Sequence, residues 1–383
     1  MLDNPFTPVF GGKPDFFFGR RRLLGRFDRA LDVRGSDYRS LFVTGARGSG
    51  KTALLEQLST RARKKGWMAI DVGAEHALVS IVRQLAGSDE LTETFSPSIG
   101  VNVLGSGAAF SGKGTSKTTH YDLSDIDQLL VKACVDQKKG VFVSVDEVQK
   151  VPLDDVACLC EAFQMASRKG CNAILVIAGL PFSYEKVIHQ DGCTFMRRAP
   201  HEELGLLDVE EVQQAYAKAF DSVDGLKLTD GAFADLVRNS SGQPYMMQLL
   251  GYQLVEYMNG KDVKPLVADE EDVATISPMA RDAYEHRSLQ PLLDELSAGE
   301  VAYLRAMSKV ADERFISSTS AVASEIGKSL QQASSTRRRL LDKGIIVSAG
   351  HGLVRFAIPY LRQYVLQPDE DSENLAHLDQ WGV

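Results

Sequence analysis

The chain has 383 residues, of which 44% are hydrophobic and 25% charged, and its net charge is −8. That length suits two or three domains, and the acidic balance excludes a chain-wide basic footprint for nucleic acid, leaving only a local one. No apolar run reaches the roughly 18 residues of a membrane span, so no membrane partner is expected.

The opening stretch, MLDNPFTPVFGGKPDFFFG, has no basic region followed by an apolar one, so a signal peptide is not expected and a cytoplasmic location is. The five cysteines form no paired CxxC pattern and are expected as reduced thiols. The seven histidines are scattered and form no ligand cluster.

In chain order, Leu41, Phe42 and Val43 make a short apolar run suited to a buried parallel strand. Gly45, Ala46, Arg47, Gly48, Ser49, Gly50, Lys51 and Thr52 follow, then a helix-forming stretch with Leu54, Leu55 and Leu58. This is G-x-x-x-x-G-K-T between a strand and a helix, the context in which it cradles phosphate. The glycines let backbone N–H groups turn toward phosphate oxygens, Lys51 reaches the β- and γ-phosphates, and the Thr52 hydroxyl binds Mg²⁺. ATP and Mg²⁺ are therefore the expected ligands.

GWMAIDV (66–72) reads as a second strand, and AEHALVSIVRQLAG as a helix after it. SPSIGVNVLGSGAAFSGKGTSK (96–117), with alternating Ile99, Val101 and Val103, reads as an inserted hairpin or loop carrying Lys113 and Lys117. A helix at 122–138 leads to VFVSV, which ends at Asp146 and Glu147. Asp146 suits the Mg²⁺ shell, and Glu147 suits polarisation of an attacking water. Strands at 171–181 and 202–208 complete an α/β fold: a three-layer domain around a five-stranded parallel sheet, with ligand at the strand C-termini.

Residues 208–258 read as helical throughout, giving an all-α lid, and 259–278 as a polar connection into a linker helix. Ser297 with Glu300, and Ser329 with Gln332, are capping boxes opening two helices, and SAVASEIG is a short helix between them. Gly344 closes the last of the three, and IIVSAGHGLVRFAI is a small hairpin. Three helices and a hairpin describe a winged helix whose third helix would enter a major groove.

Residues 296–366 hold ten Lys/Arg and five Asp/Glu, while 367–383 hold five acids and no Lys/Arg. On the third helix Leu330, Ala333, Leu340 and Leu341 share one face. Arg337 falls within that arc and is expected to pack, its stem buried and its head paired. Gln331, Ser335, Arg338 and Arg339 point away and, with His351 and Arg355 on the hairpin, are the candidate contacts to duplex DNA.

The sequence resembles the AAA+-type ATPases of the archaeal-ATPase and STAND class, particularly those similar to archaeal replication initiators. The matching segments are FFFGRRRLLGRFDRAL, GARGSGKT, VDEVQ, AGLP, SGQPYMMQLLG and the winged-helix stretch from SAGEVAYLRAM onward. The resemblance implies that Phe18, Gly19 and Arg20 lie near the adenine edge, with Gly242 and Pro244 on the other side of the base. It implies that Arg197 or Arg198 serves as an arginine finger on a neighbouring subunit, and hence a nucleotide-dependent homo-oligomer. Two features depart from the pattern. The fourth strand ends in Ala178 and Gly179, where many such proteins carry a polar sensor, and GQPYMMQ has no arginine. Slow or assembly-dependent hydrolysis is expected from both.

The expected organisation is an ATPase core at 1–207 with its insert near 95–120, a lid at 208–270, a linker helix at 271–295, a winged helix at 296–366 and an acidic tail at 367–383. The expected function is an ATP-binding and ATP-hydrolysing switch that couples nucleotide state to DNA binding or assembly. Two alternatives stay open: a signalling or defence switch whose winged helix binds protein, and a nucleotide-binding scaffold with negligible turnover.

Overall fold

The computed structural model describes residues 2–9, 17, 19–86, 123–136, 140–262 and 265–367. Phe18, the insert near 95–120 with Lys113 and Lys117, and the tail beyond Gln367 lie outside the described residues.

The core begins with α1 (Arg21–Asp32), β1 (Ser40–Gly45), α2 (Lys51–Lys64), β2 (Met68–Val72) and α3 (Ala77–Ala86). It continues with α4 (Leu123–Asp136), β3 (Val141–Val145), α5 (Leu153–Arg168), β4 (Ala173–Gly179), α6 (Pro181–Ile188) and β5 (His201–Leu204). The five strands form one parallel sheet in the order β2-β3-β4-β1-β5. The fifth strand stops at Leu204, shorter than the 202–208 run expected.

Period-two alternation sorts the apolar side chains to two faces. Leu41, Val43, Phe142, Ile174 and Val176 pack against Phe27 of α1 and Leu54 and Leu58 of α2. Phe42, Val141, Val143, Leu175 and Ile177 face α3, α4 and α5 instead. Both faces are covered, so the central strands are largely apolar, with Thr44 and Ser144 as buried polar exceptions. The three layers leave the C-terminal strand ends and the N-terminus of α2 at one edge, where the phosphate loop lies.

Beyond the sheet come α7 (Val209–Phe220), β6 (Leu226–Leu228), α8 (Asp230–Ser240), α9 (Pro244–Asn259), β7 (Leu266–Ala268) and α10 (Glu270–Tyr284). The all-α lid needs correction, because β6 and β7 pair in parallel, Leu226 with Leu266 and Leu228 with Ala268. Three-residue strands bury too little to leave a period-two signal, which is why the sequence reads as helix. Residues 2–9 belong with this lid rather than with the core. Phe6 is 1% exposed, 5.0 Å from the Phe220 ring, and the side chain of Asn4 bonds Glu256 at 2.8 Å. The expected linker helix is three pieces: α10, a π-helical stretch Glu285–Leu289, and α11 (Gln290–Asp294). Of these, α10 packs on α8 and α9 as part of the lid.

The C-terminal module runs α12 (Ala298–Val310), β8 (Ile316–Ser318), α13 (Thr319–Glu325), α14 (Leu330–Asp342), β9 (Ile346–Gly350) and β10 (Leu353–Phe356), then α15 (Leu361–Tyr364). Its strands form an antiparallel sheet in the order β8-β10-β9. Both capping boxes are present. At the end of α14 the Gly344 N–H donates to Leu341 O at 2.9 Å and the Ile345 N–H to Leu340 O at 3.1 Å, a Schellman cap. Lid and module share one continuous apolar cluster.

On α14 the buried face is Ala333, Thr336 and Leu340, and Leu330 is 53% exposed. Leu330 is the first residue after the Ser329 cap, beyond the reach of the module's core. Arg337 is half-buried as expected, but its Nε is buried with no hydrogen-bond partner, so the expected pairing of the head does not hold for that atom. Glu300 gathers the charge instead. Its Oε2 accepts from Ser297 N at 2.9 Å, and its Oε1 lies 3.0 Å from Lys343 Nζ and 3.4 Å from Arg339 Nε. Burial alone would push this carboxyl up, but the Ser297 backbone N–H, Lys343 and the Ser297 hydroxyl hold it down at about 2. Its stabilising contribution is complete above the ordinary value of 4.5 and is lost as the pH falls toward 2. Glu300→Gln is expected to cost about 1–3 kcal/mol at neutral pH, and denaturant titrations should show that gap closing between those two pH values.

Candidate functional site: a phosphate loop held by the lid and the C-terminal module

Strand β1 ends at Gly45, and the loop turns through Gly48 (φ +75°) and Gly50 (φ +89°) into α2. The positive end of the α2 dipole therefore faces the loop. Lys51 is only 6% exposed, and its Nζ donates to Gly45 O at 2.9 Å and Ala46 O at 3.0 Å. Burial pushes its ammonium below the ordinary range, against the raising pull of Glu147 and Asp146. The Ser49 hydroxyl is buried with no partner, a polar atom that an anion on the loop would satisfy.

The Thr52 hydroxyl donates to Asp146 Oδ2 at 2.6 Å, joining the loop to the end of β3. Among the described residues no group of three or more His, Cys, Asp or Glu converges as a metal site. One hydroxyl and one carboxylate beside a phosphate cradle fit Mg²⁺, which is bound through one or two carboxylates, water and substrate phosphates. Asp146 is fixed by its own N–H on Val72 O at 2.9 Å, and its Oδ1 accepts the Glu147 N–H at 2.8 Å. Glu147 adopts a left-handed backbone (φ 54°), which turns the chain out of the strand and leaves its carboxylate half-buried at the sheet edge. Thus Lys51, Thr52, Asp146 and Glu147 come together at the C-terminal edge of the sheet.

The remaining candidates divide. Gly19 and Arg20 are held against the lid, with the Arg20 N–H donating to Glu211 Oε1 at 2.7 Å and its guanidinium to Gly205 O. Gly242 O accepts the Leu207 N–H at 2.8 Å, and Pro244 opens α9 within 4.0 Å of the Cβ position of Gly50. Pro244 thus stands against the loop, whereas Gly19, Arg20 and Gly242 meet the 205–211 stretch beside it. Arg197 and Arg198 do not join it. Both are exposed in the turn before β5, and Arg197 Nε donates to Ile188 O at 2.6 Å.

Gln331, Ser335, Arg338, Arg339, His351 and Arg355 are all exposed on α14 and the hairpin. Two of them are not free, however. Arg338 Nε lies 3.2 Å from Asp342 Oδ1, and Arg339 reaches Glu300 as described.

Four residues that the sequence did not single out for the site act on it. Gln243, 2% exposed, donates from Nε2 to Gly48 O at 3.2 Å and to the Tyr284 hydroxyl at 3.3 Å, while its Oε1 accepts the Met246 N–H. Glu295, just past α11, takes Arg47 in a two-pronged ion pair at 3.0 and 2.5 Å. Gly344 (φ +65°) approaches so closely that a Cβ there would stand 2.8 Å from Pro181 Cδ and 3.8 Å from Ala46 Cα. Gln149 Nε2 donates to Glu147 Oε2 at 2.9 Å. Gln243, as the cap before Pro244, and Gly344, as the cap closing α14, leave local sequence signals.

Residues 17–177 match the AAA ATPase domain family, and residues 287–365 match a domain of unknown function, DUF8462. No curated protein sequence matches the chain. Among solved structures the chain is similar to the Aeropyrum pernix ORC2 protein in its ADPNP–ADP complexes. The TM-score is 0.59 at 15% identity, with 99% of each chain covered. The ADP form of that protein gives a TM-score of 0.56 at the same identity and coverage. Cdc6p from Pyrobaculum aerophilum gives a TM-score of 0.50 at 14% identity, covering 95% of this chain and 97% of that one. Residues 17–177 are thus similar to AAA ATPase domains, and over its length the chain has the fold of the ORC2 and Cdc6p structures.

Proposed function

We propose that the chain binds MgATP on the 45–52 loop, hydrolyses it slowly, and uses occupancy of the loop to set the disposition of its C-terminal module. One observation carries the coupling: Gln243 of the lid, Glu295 of the connector and Gly344 of the module all bear on residues 46–48. A triphosphate would bring anionic oxygens toward Glu295, which already neutralises Arg47, and like charges there oppose one another. ATP on the loop therefore favours release of the connector and, with it, of the module.

In this reading Lys51 and the loop N–H groups hold the β- and γ-phosphates, while Thr52 and Asp146 hold Mg²⁺. The cation neutralises charge on the transferring phosphoryl group. Glu147 orients the water and takes its proton. Gly19, Arg20, Gly242 and Pro244 flank the base, and Arg198 or Arg197 reaches the γ-phosphate of a neighbouring copy in a homo-oligomer. The ADPNP and ADP bound by the ORC2 structure support the choice of adenine nucleotide.

The released module is a winged helix that engages duplex DNA through Gln331, Ser335, Arg338, Arg339, His351 and Arg355. A second reading, in which this face binds protein, is favoured by the pairing of Arg338 with Asp342 and of Arg339 with Glu300. Duplex titration decides between them. At low salt the intact chain is expected to bind with MgATP, and Arg338→Ala plus Arg339→Ala should lower the slope of log affinity against log salt by about 2. No binding with or without ATP rejects the DNA reading.

A further inference from the structure

Glu147 has a left-handed backbone in a half-buried turn, where its carboxylate needs an external brace to hold one orientation. The nearest strand end supplies no side chain for this, since β4 finishes in Ala178 and Gly179. The brace comes from Gln149. Its Nε2 donates to Glu147 Oε2 at 2.9 Å, and its Oε1 accepts the Leu180 N–H at 3.1 Å. Both ends of the carboxamide are assigned by chemistry, because a carboxylate only accepts and a backbone N–H only donates. Lys150 Nζ approaches the same Oε2 at 3.2 Å, so both donors act on one oxygen. The backbone of β4 is shaped to this contact: a Cβ on Gly179 would stand 2.8 Å from Gln149 Oε1 and 2.7 Å from Val148 Cγ1.

We infer that Gln149 is a positioning residue for hydrolysis, a carboxamide strut that ties the Glu147 carboxylate to the end of β4 and aims it at the attacking water. This rests on the hydrolytic reading above. The strut leaves the phosphate cradle alone, as none of its partners is on the 45–52 loop. It therefore acts on turnover, with no effect on nucleotide affinity. Removing the strut lets the carboxylate rotate, and misplacement of a catalytic group by an ångström costs on the order of 10²-fold.

The test is steady-state ATP hydrolysis by the full-length chain, giving kcat and KM, with MgATP affinity measured in parallel, for wild type, Gln149→Ala and Gln149→Glu. Gln149→Ala is expected to lose about 10²-fold in kcat at unchanged ATP affinity. Gln149→Glu is isosteric and keeps the acceptor for Leu180, but it sets a second carboxylate against Glu147. The two carboxylates repel, so Glu147 turns from its orientation and kcat is expected to fall here too, with the KM for MgATP unchanged. A merely structural role would lower MgATP affinity and kcat together. If wild type hydrolyses ATP and both variants match it in kcat, the strut is rejected while the ATPase reading stands. If wild type binds MgATP without turning it over, the hydrolytic reading falls, and this inference with it.

Discussion

Lys51→Ala is expected to weaken MgATP binding by about 2–5 kcal/mol, between thirtyfold and several thousandfold in Kd, the range for truncating one partner of a buried charge pair. The magnitude follows from where the ammonium sits. It is almost wholly buried and rests on the carbonyls of Gly45 and Ala46, neutral partners that a phosphate oxygen can replace. Burial has already lowered its proton affinity, so an incoming anion recovers electrostatic energy that the loop itself does not supply. Isothermal titration with MgATP measures this directly. Affinity within threefold of wild type would mean that the phosphates lie elsewhere.

Glu147→Gln should act on the other half of the cycle, lowering kcat by about 10²- to 10⁴-fold while leaving the Kd for MgATP near that of wild type. Glu147 adjoins the Thr52–Asp146 pair through its backbone N–H and lies outside the loop that grips phosphate, so loss of its carboxylate removes a base and not a binding group. An amide of the same shape keeps the hydrogen bond to Gln149 available after rotation, which limits structural damage. Single-turnover hydrolysis separates the two effects, with bound ATP expected to persist uncleaved. Hydrolysis at the wild-type rate would remove Glu147 from the chemistry and leave the chain as a nucleotide-binding scaffold.

The legible parts of the molecule were those written in contiguous residues. GARGSGKT, the VFVSV strand ending in Asp146-Glu147, and the boxes at Ser297/Glu300 and Ser329/Gln332 each carry their geometry within a few positions. What was not legible joins residues far apart in the chain. Gln243 meets Gly48 across 195 positions and Glu295 meets Arg47 across 248, and no periodicity or spacing announces either. The same limit explains Arg339. Helical phase alone turns it to solvent, but it takes a module-level view to see that α12 brings Glu300 beneath it. Phe6 is a similar case: an aromatic in an opening stretch without helix or strand periodicity finds its burial only in helices more than 200 residues later. The two short strands of the lid fail for the opposite reason, because three residues are too few to show a period at all.

The coupling of loop to module can be read from one distance. A donor–acceptor pair at Val33, an exposed residue at the end of α1, and Lys328, exposed just before α14, reports the separation of core and module. Saturating MgATP is expected to change that separation in the wild-type chain and to leave it unchanged in Lys51→Ala. Full occupancy by MgATP in wild type with no change in the distance would contradict the account.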